Sequence, residues 1–324
     1  MSLDGKKVFL AGATGVVGSS IINYILDNFT KTKIRASYYH TKPFIKNKRV
    51  EYIHGDLRLP NICRNMLTGC DYAIMAAANT TGASLTISQP WEQINDNLLM
   101  NLQMLRAFCS GNIKRVVHIG SATLYQEFNG HIREEELDLN IDPHHAYQGI
   151  GWVNRFTEKL YKFCHEQFGM EISIVRAANI YGPYAKFNAL TSNFIPALIR
   201  KAVDKMDPFE VWGNPDVTRD VLYSEDFARA IVMLINSKIN FETFNIGSGE
   251  QATVNKVVEL VLKYTGHKPR EIKYILDKPT TIKFRALDCT KAKNMLGWQP
   301  QYTIAQGIER TVLWWLENQR WWKK

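Results

Sequence analysis

Val8-Phe9-Leu10-Ala11-Gly12-Ala13-Thr14-Gly15-Val16-Val17-Gly18, residues 8–18, is the stretch that decides the fold. Its four leading apolar residues read as a short buried strand. Beyond the glycines, Ile21, Ile22, Ile25 and Leu26 recur at helical spacing. Residues 34–39 read as the next strand, so the segment is a strand-turn-helix-strand unit. Gly12 allows a tight turn after the strand, Gly15 lets an anion approach the backbone at the positive end of the helix, and Gly18 lets the helix pack close to the sheet.

The same alternation runs outward from this unit. Strands are expected at 72–78, 115–120 and 171–176, with helices around 95–109 and 152–167 between them. Strands alternating with helices imply a parallel sheet covered on both faces, and right-handed crossovers make it doubly wound. After Asn179 the rhythm breaks. Tyr181-Gly182-Pro183 and Trp212-Gly213-Asn214-Pro215 are turn signals, and helices are expected at 193–205, 225–236, 253–265, 290–296 and 303–318. The expected architecture is an α/β fold. A doubly wound parallel Rossmann sheet occupies 1–178, joined by part of 217–240. A smaller, discontinuous C-terminal substrate domain is built mainly from 179–324.

Three glycines at this spacing, placed after a strand and opening a helix, point to a dinucleotide held by Gly12, Thr14, Gly15, Val16, Val17 and Gly18. The end of the second strand bears on which one. A carboxylate there holds the ribose 2′-hydroxyl of NAD, but this chain reads Ser37-Tyr38-Tyr39-His40-Thr41-Lys42. Arg35, His40 and Lys42 either meet a 2′-phosphate instead or are plain surface residues, and Tyr39 is placed with His40 and Lys42 among the cofactor-binding residues; NADP is favoured and NAD is the second choice. Asp56, followed by Leu57, is read either as acceptor for the adenine amine or as a helix N-cap.

Composition narrows the class. The chain has 324 residues, 45% hydrophobic and 22% charged, which is ordinary globular usage. A net charge of +9 suits an anionic ligand. No basic stripe interleaved with aromatics is present, so nucleic acid ranks last among partners. Cys63, Cys70, Cys109, Cys164 and Cys289 show no metal spacing and read as free thiols, with no metal site expected. No run of about 18 apolar residues exists to span a membrane, and the amino end lacks the apolar core of a signal peptide, so a cytoplasmic location is expected. The aromatic, basic tail from Val312 to Lys324 reads as a packed terminal helix or a membrane-edge segment.

The chain resembles the extended short-chain dehydrogenase/reductase family, also described as NAD-dependent epimerases and dehydratases. The resemblance runs through the glycine loop, Ala76-Ala77-Ala78, Asn97, Gly120-Ser121-Ala122-Thr123-Leu124-Tyr125, Asn179-Ile180-Tyr181-Gly182-Pro183, Arg219-Asp220 and residues 287–298. Within the family it is most similar to nucleotide-sugar enzymes of the GDP-fucose synthase type. The resemblance implies that Ala76, Ala77, Ala78, Asn97, Tyr147 and Ala178 also line the cofactor. It further implies that Asn179, Asn193, Trp212, Arg219 and Arg285 hold a nucleotide-sugar, and that the protein is a homodimer. Trp212 is read equally as core packing, Arg219 with Asp220 as a structural ion pair, and Asp226 as a helix brace. The apolar run Leu98, Leu99, Leu102 and Leu105 serves either a dimer bundle or the core.

Catalysis in this family is implied to use Ser121 on the reacting oxygen, a tyrosine to pass the proton, and a lysine four residues on to hold the nicotinamide ribose. Tyr147 is the candidate tyrosine, but the residue four on is Gly151. Counting back from Gly169 gives another frame, with Ile150 at the tyrosine position and Asn154 at the lysine position. A three-residue insertion near 148–150 reconciles the frames by letting Tyr147 bulge into place. Arg155, about 12 Å along an ideal helix from Tyr147, does not copy the missing ammonium. Thr123 and Asn193 stand where the fucose synthases carry a Cys and a His, and neither titrates near neutrality, which argues against double epimerisation. Ala122-Thr123-Leu124 lacks the acidic residues of the dehydratases. The expectation is an NADPH-dependent nucleotide-sugar 4-ketoreductase. The alternatives are a nucleotide-sugar epimerase with tightly bound NAD, and a catalytically degenerate binding protein.

Overall fold

A computed structural model describes residues 3–80, 90–276 and 286–322. The first half runs β1 (Lys7–Ala11), α1 (Val16–Asn28), β2 (Lys33–Tyr38), β3 (Val50–His54), α2 (Pro60–Met66), β4 (Tyr72–Met75), α3 (Pro90–Ser110), β5 (Arg115–Ser121) and β6 (His131–Ile132), then α4 (Gln148–Phe168) and β7 (Glu171–Ala177). The second half runs β8 (Asn179–Tyr181), α5 (Phe194–Val203), β9 (Phe209–Trp212), β10 (Thr218–Arg219), β11 (Val221–Tyr223), α6 (Ser224–Ile235), β12 (Phe241–Ile246), β13 (Ala252–Thr253), α7 (Val254–Thr265), β14 (Ile272–Ile275), β15 (Ala286–Leu287), α8 (Thr290–Leu296) and α9 (Ile304–Trp322).

Seven strands form one sheet in the order β12-β7-β5-β4-β1-β2-β3, and every neighbouring pair is parallel. The strands are apolar on both faces because helices cover both. Val8 and Leu10 point to one face, where Ile21, Ile22 and Ile25 of α1 and Phe227 and Ile231 of α6 pack. Phe9 and Ala11 point to the other, against Met104 and Phe108 of α3 and Tyr161 of α4. A two-residue alternation in the strand thus feeds two separate cores.

The smaller lobe has its own core, in which Ile195 and Ile199 of α5, Val211 of β9, Val257 and Val261 of α7 and Ile308 of α9 meet. Short strand pairs tie it together, with β8 parallel to β11 and β9 parallel to β14. Two sequence expectations are corrected here. The strand beginning at Tyr72 stops at Met75, so Ala76, Ala77 and Ala78 leave the sheet as irregular chain. The sheet also gains β3 and β12, whose patterns, Val50-Glu51-Tyr52-Ile53-His54 and Phe241-Glu242-Thr243-Phe244-Asn245-Ile246, mix polar residues into edge positions that one neighbour covers. Among the described residues no helix is long and apolar enough to cross a membrane.

Candidate active site

The crevice lies where the strand order reverses, between β1 and β4, at their carboxyl ends. Gly12 sits there at φ +77°, and a Cβ on it would fall 2.7 Å from the Ala77 Cα and 2.8 Å from the Ala76 carbonyl. A Cβ on Gly18 would lie 2.2 Å from the Gly12 carbonyl. The loop is pinned to β2 by Ala13 N–H donating to the Ser37 carbonyl at 3.0 Å and Gly12 N–H to the Ser37 hydroxyl at 3.3 Å. Gly15 is the N-cap of α1 and is exposed. A Cβ there would meet only the Gly12 carbonyl, at 3.9 Å, so the space over it is open. The first turn of α1 holds no acidic residue and no side-chain cap. Its free N–H groups and helix dipole are therefore available to an anion, which fits a dinucleotide pyrophosphate. Thr14, Val16 and Val17 are half-buried around this opening.

Just past the end of β2, exposed Tyr39 and His40 have ring centroids 4.0 Å apart, and Lys42 is exposed two residues on. Arg35 is not part of this group. It lies mid-strand, where register places it opposite Glu51, and its guanidinium bonds the Glu51 carboxylate and the Thr68 carbonyl. Paired with Arg35 and Lys7, the Glu51 carboxyl is lowered to about 2. The N-cap reading of Asp56 is also overturned, because α2 starts at Pro60 and its cap is Leu59. Asp56 instead receives Arg58 Nη2 at 2.7 Å, and Asp96 receives Arg58 Nη1 at 2.7 Å. These hydrogen bonds from Arg58 hold the Asp56 carboxyl below the usual carboxylate range. Arg58 also lies over the Tyr39 ring, 5.8 Å from its centroid. Its only sequence signal was its place two residues after Asp56. Leu57 is buried beneath. Asn97, on α3, is buried and clamps the loop after β4. Its Oδ1 accepts from Asn79 N–H and its Nδ2 donates to the Asn79 and Gln93 carbonyls.

Ser121 ends β5, and Tyr147 closes a short 3-10 turn immediately before α4. The structure brings both to one open pocket, shared with Thr123, Ala178, Asn179 and Arg219. Thr123 N–H and the Thr123 hydroxyl both donate to Ser121 Oγ, at 3.2 and 3.1 Å. Asn154, on α4, donates from Nδ2 to Thr123 Oγ1 at 3.0 Å. Gly151 allows α4 to approach this closely, since a Cβ on it would sit 2.8 Å from the Thr123 carbonyl. Arg155 is buried and bound to the Leu124 and Ile141 carbonyls, away from Tyr147's role. Among the described residues that line the pocket, Arg219 is the only cation. Burial pushes its guanidinium below the ordinary arginine value, and Tyr147 opposes that shift.

Asn179 Nδ2 donates to the Asp220 carbonyl at 2.9 Å, which fixes β8 to the residue that follows Arg219 of β10. The Asp220 carboxylate accepts from Leu287 N–H, Ser248 N–H and the Ser248 hydroxyl, at 3.0, 2.8 and 2.8 Å, while burial raises its pKa. It therefore anchors the pocket floor. Asp226 braces the link between α8 and α9, accepting from Gln301 and Tyr302 N–H at 2.9 Å each. Asn193 is the exposed N-cap of α5. Trp212 is half-exposed at the end of β9 with the Lys201 ammonium 5.3 Å from its ring centroid, so it is neither in the core nor part of the Ser121 pocket. Arg285 lies outside the described residues.

The profile of the NAD dependent epimerase/dehydratase family matches residues 8–247. A GDP-L-fucose synthase of Sinorhizobium fredii is 27% identical over 316 residues, covering 95% of each chain. A GDP-mannose 3,5-epimerase of Arabidopsis thaliana is 28% identical over 324 residues, covering 96% of this chain and 82% of the relative. Among solved structures, a dTDP-glucose 4,6-dehydratase of Streptomyces venezuelae with NAD bound superposes with a TM-score of 0.85 at 21% identity, over 98% of this chain and 99% of that one.

Proposed function

The chain belongs to the NAD dependent epimerase/dehydratase family, an enzyme family of the extended short-chain dehydrogenase type, and from that premise we propose that it reduces a nucleotide-diphospho-sugar at its C4 carbonyl. The convergence of Ser121, Tyr147 and Arg219 on one pocket carries this reading. Bound at the loop, a nicotinamide dinucleotide supplies the hydride. Gly12, Gly15 and the first turn of α1 would hold its pyrophosphate, with Asp56, Arg58, Tyr39 and His40 at the adenosine end. The absence of a carboxylate after β2, with His40 and Lys42 following, favours NADP over NAD.

Tyr147 holds the proton that the sugar oxygen takes up, and its place in the pocket lets it do so without an extended-helix frame. Ser121 positions that oxygen by hydrogen bonding. Arg219 presents a fixed fork of donors, which suits a diphosphate better than a single charge would. Among the described residues that line the pocket Asp220 is the only carboxylate, and its oxygens are taken by Ser248 and Leu287, while neither Thr123 nor Asn193 is a base near neutrality. This supports simple reduction over dehydration or double epimerisation.

An exposed stripe of Trp152, Phe156 and Phe163 on α4, beside Leu102 on α3, supports a homodimer. The five free thiols suit a reducing cytoplasm. The test is to mix the protein, NADPH and a 4-keto nucleotide-sugar and to follow cofactor absorbance. Oxidation of NADPH in proportion to sugar reduced is the expected result. Interconversion of sugars at catalytic protein without net cofactor change would replace the reading with epimerisation, and tight dinucleotide binding with no turnover would leave a binding protein.

A further inference from the structure

In the frame counted back from Gly169 Asn154 stands at the lysine position of the resemblance, and its amide faces Thr123. Three contacts form a file, from Asn154 Nδ2 to Thr123 Oγ1 at 3.0 Å, and from Thr123 Oγ1 to Ser121 Oγ at 3.1 Å, with Thr123 N–H also on Ser121 Oγ at 3.2 Å. A hydroxyl has one proton to donate and two lone pairs to accept with. Both acceptor sites of Ser121 are filled by Thr123, so the remaining Ser121 proton has no position but the pocket. Thr123 in turn receives from a donor-only amide N–H and passes its own proton forward. Each bond in such a file polarises the next in the same direction.

We propose that Asn154 is a positioning residue that fixes the direction of the Thr123–Ser121 hydrogen bonds, so that Ser121 donates to the sugar oxygen that gains charge during reduction. This rests on the reading of the pocket as a carbonyl-reduction site. The lysine of the resemblance would stabilise a tyrosinate and grip the nicotinamide ribose. Asn154 instead strengthens the serine as a donor, and it acts through two side chains rather than on the cofactor. The site then works with Tyr147 and a polarised Ser121 in place of the lysine that the resemblance implies.

Two substitutions separate direction from shape. Asn154→Asp keeps the size but offers only acceptors, so the Thr123 proton turns toward residue 154 and the Ser121 proton turns to Thr123. Asn154→Lys changes the size but offers only donors. Turnover is expected to fall by about 10²-fold in Asn154→Asp, as for loss of one donor to a developing oxyanion. KM and the NADPH dissociation constant should hold within about threefold, because the Ser121 hydrogen bond is far stronger to the developing oxyanion than to the ground-state carbonyl. Asn154→Lys should keep more activity than Asn154→Asp, the reverse of what mere packing would give. A lysine variant worse than the aspartate, or NADPH affinity falling along with turnover, would overturn the inference.

A second measurement is independent of activity. Neutron diffraction on the deuterium-exchanged protein should place the Ser121 deuteron toward the pocket and the Thr123 deuteron on the line to Ser121 Oγ. A Ser121 deuteron pointing at Thr123, or Asn154 Oδ1 facing Thr123, refutes the file even in a protein that turns over no sugar. An absence of turnover in the unmodified enzyme with the deuterons as expected would sink the reduction reading and leave the file standing.

Discussion

His118 lies on β5 three residues before Ser121, fully enclosed, and neither ring nitrogen has a hydrogen-bond partner among the described residues. Its ring stacks on Tyr161 of α4 with centroids 4.3 Å apart. Burial without a partner lowers its pKa from 6.5 to about 3. The unfolded chain therefore takes up a proton near pH 6.5 that the folded chain refuses until about pH 3, and stability falls as pH drops through that window. Between about pH 7.5 and about pH 5 the linkage amounts to about 2 kcal/mol. The figure barely depends on the folded value so long as that value stays well below 5. His118→Phe keeps the stack on Tyr161 and removes the titrating group, along with two buried nitrogens that lack partners. Urea unfolding of both proteins at the two pH values gives four free energies. The wild-type chain should lose about 2 kcal/mol more than the variant on acidification. Equal losses, or an imidazole signal for His118 titrating near its ordinary value, would refute the reasoning.

Tyr147→Phe should lower turnover by about 10²-fold or more while sparing dinucleotide affinity, measured by NADPH oxidation and fluorescence titration; an unchanged rate would remove Tyr147 from the chemistry. Gly18→Ala should abolish dinucleotide binding, because its Cβ would lie 2.2 Å from the Gly12 carbonyl and open the loop; a bound dinucleotide on native mass spectrometry would contradict this. Replacing Phe156 and Phe163 together with glutamate should convert a dimer to a monomer in light scattering, since two charges would sit on the exposed stripe of α4; a wild-type mass would show that the stripe is not the contact.

Much of the site was legible because its parts are local. Gly12 and Gly18 declare a backbone cradle, since a tight turn and a close helix each demand a missing Cβ, and Gly15 between them leaves the helix N-terminus open. The alternation of Val8 with Phe9 and Leu10 with Ala11 declares a strand buried on both sides. Arg35 was misread for a complementary reason. Nearness in sequence to the end of β2 does not fix which way a side chain points, and strand register turned it toward Glu51. Asp56 shows the same limit, because its partner Arg58 also reaches Asp96 on α3, a contact between elements far apart in the chain.

From sequence alone came the alternating α/β order, the dinucleotide loop and the broken Tyr-to-Lys spacing, all properties of residues a few positions apart. Tertiary structure alone decided that Tyr147 reaches the Ser121 pocket despite that spacing, that Arg219 arrives there from the smaller lobe, and that Asn154 meets Thr123. The physical reason is chain connectivity. Helical and strand periodicities are written in local side-chain order, whereas the meeting of β5, α4 and β10 depends on how separately buried faces pack, which no short stretch of residues specifies.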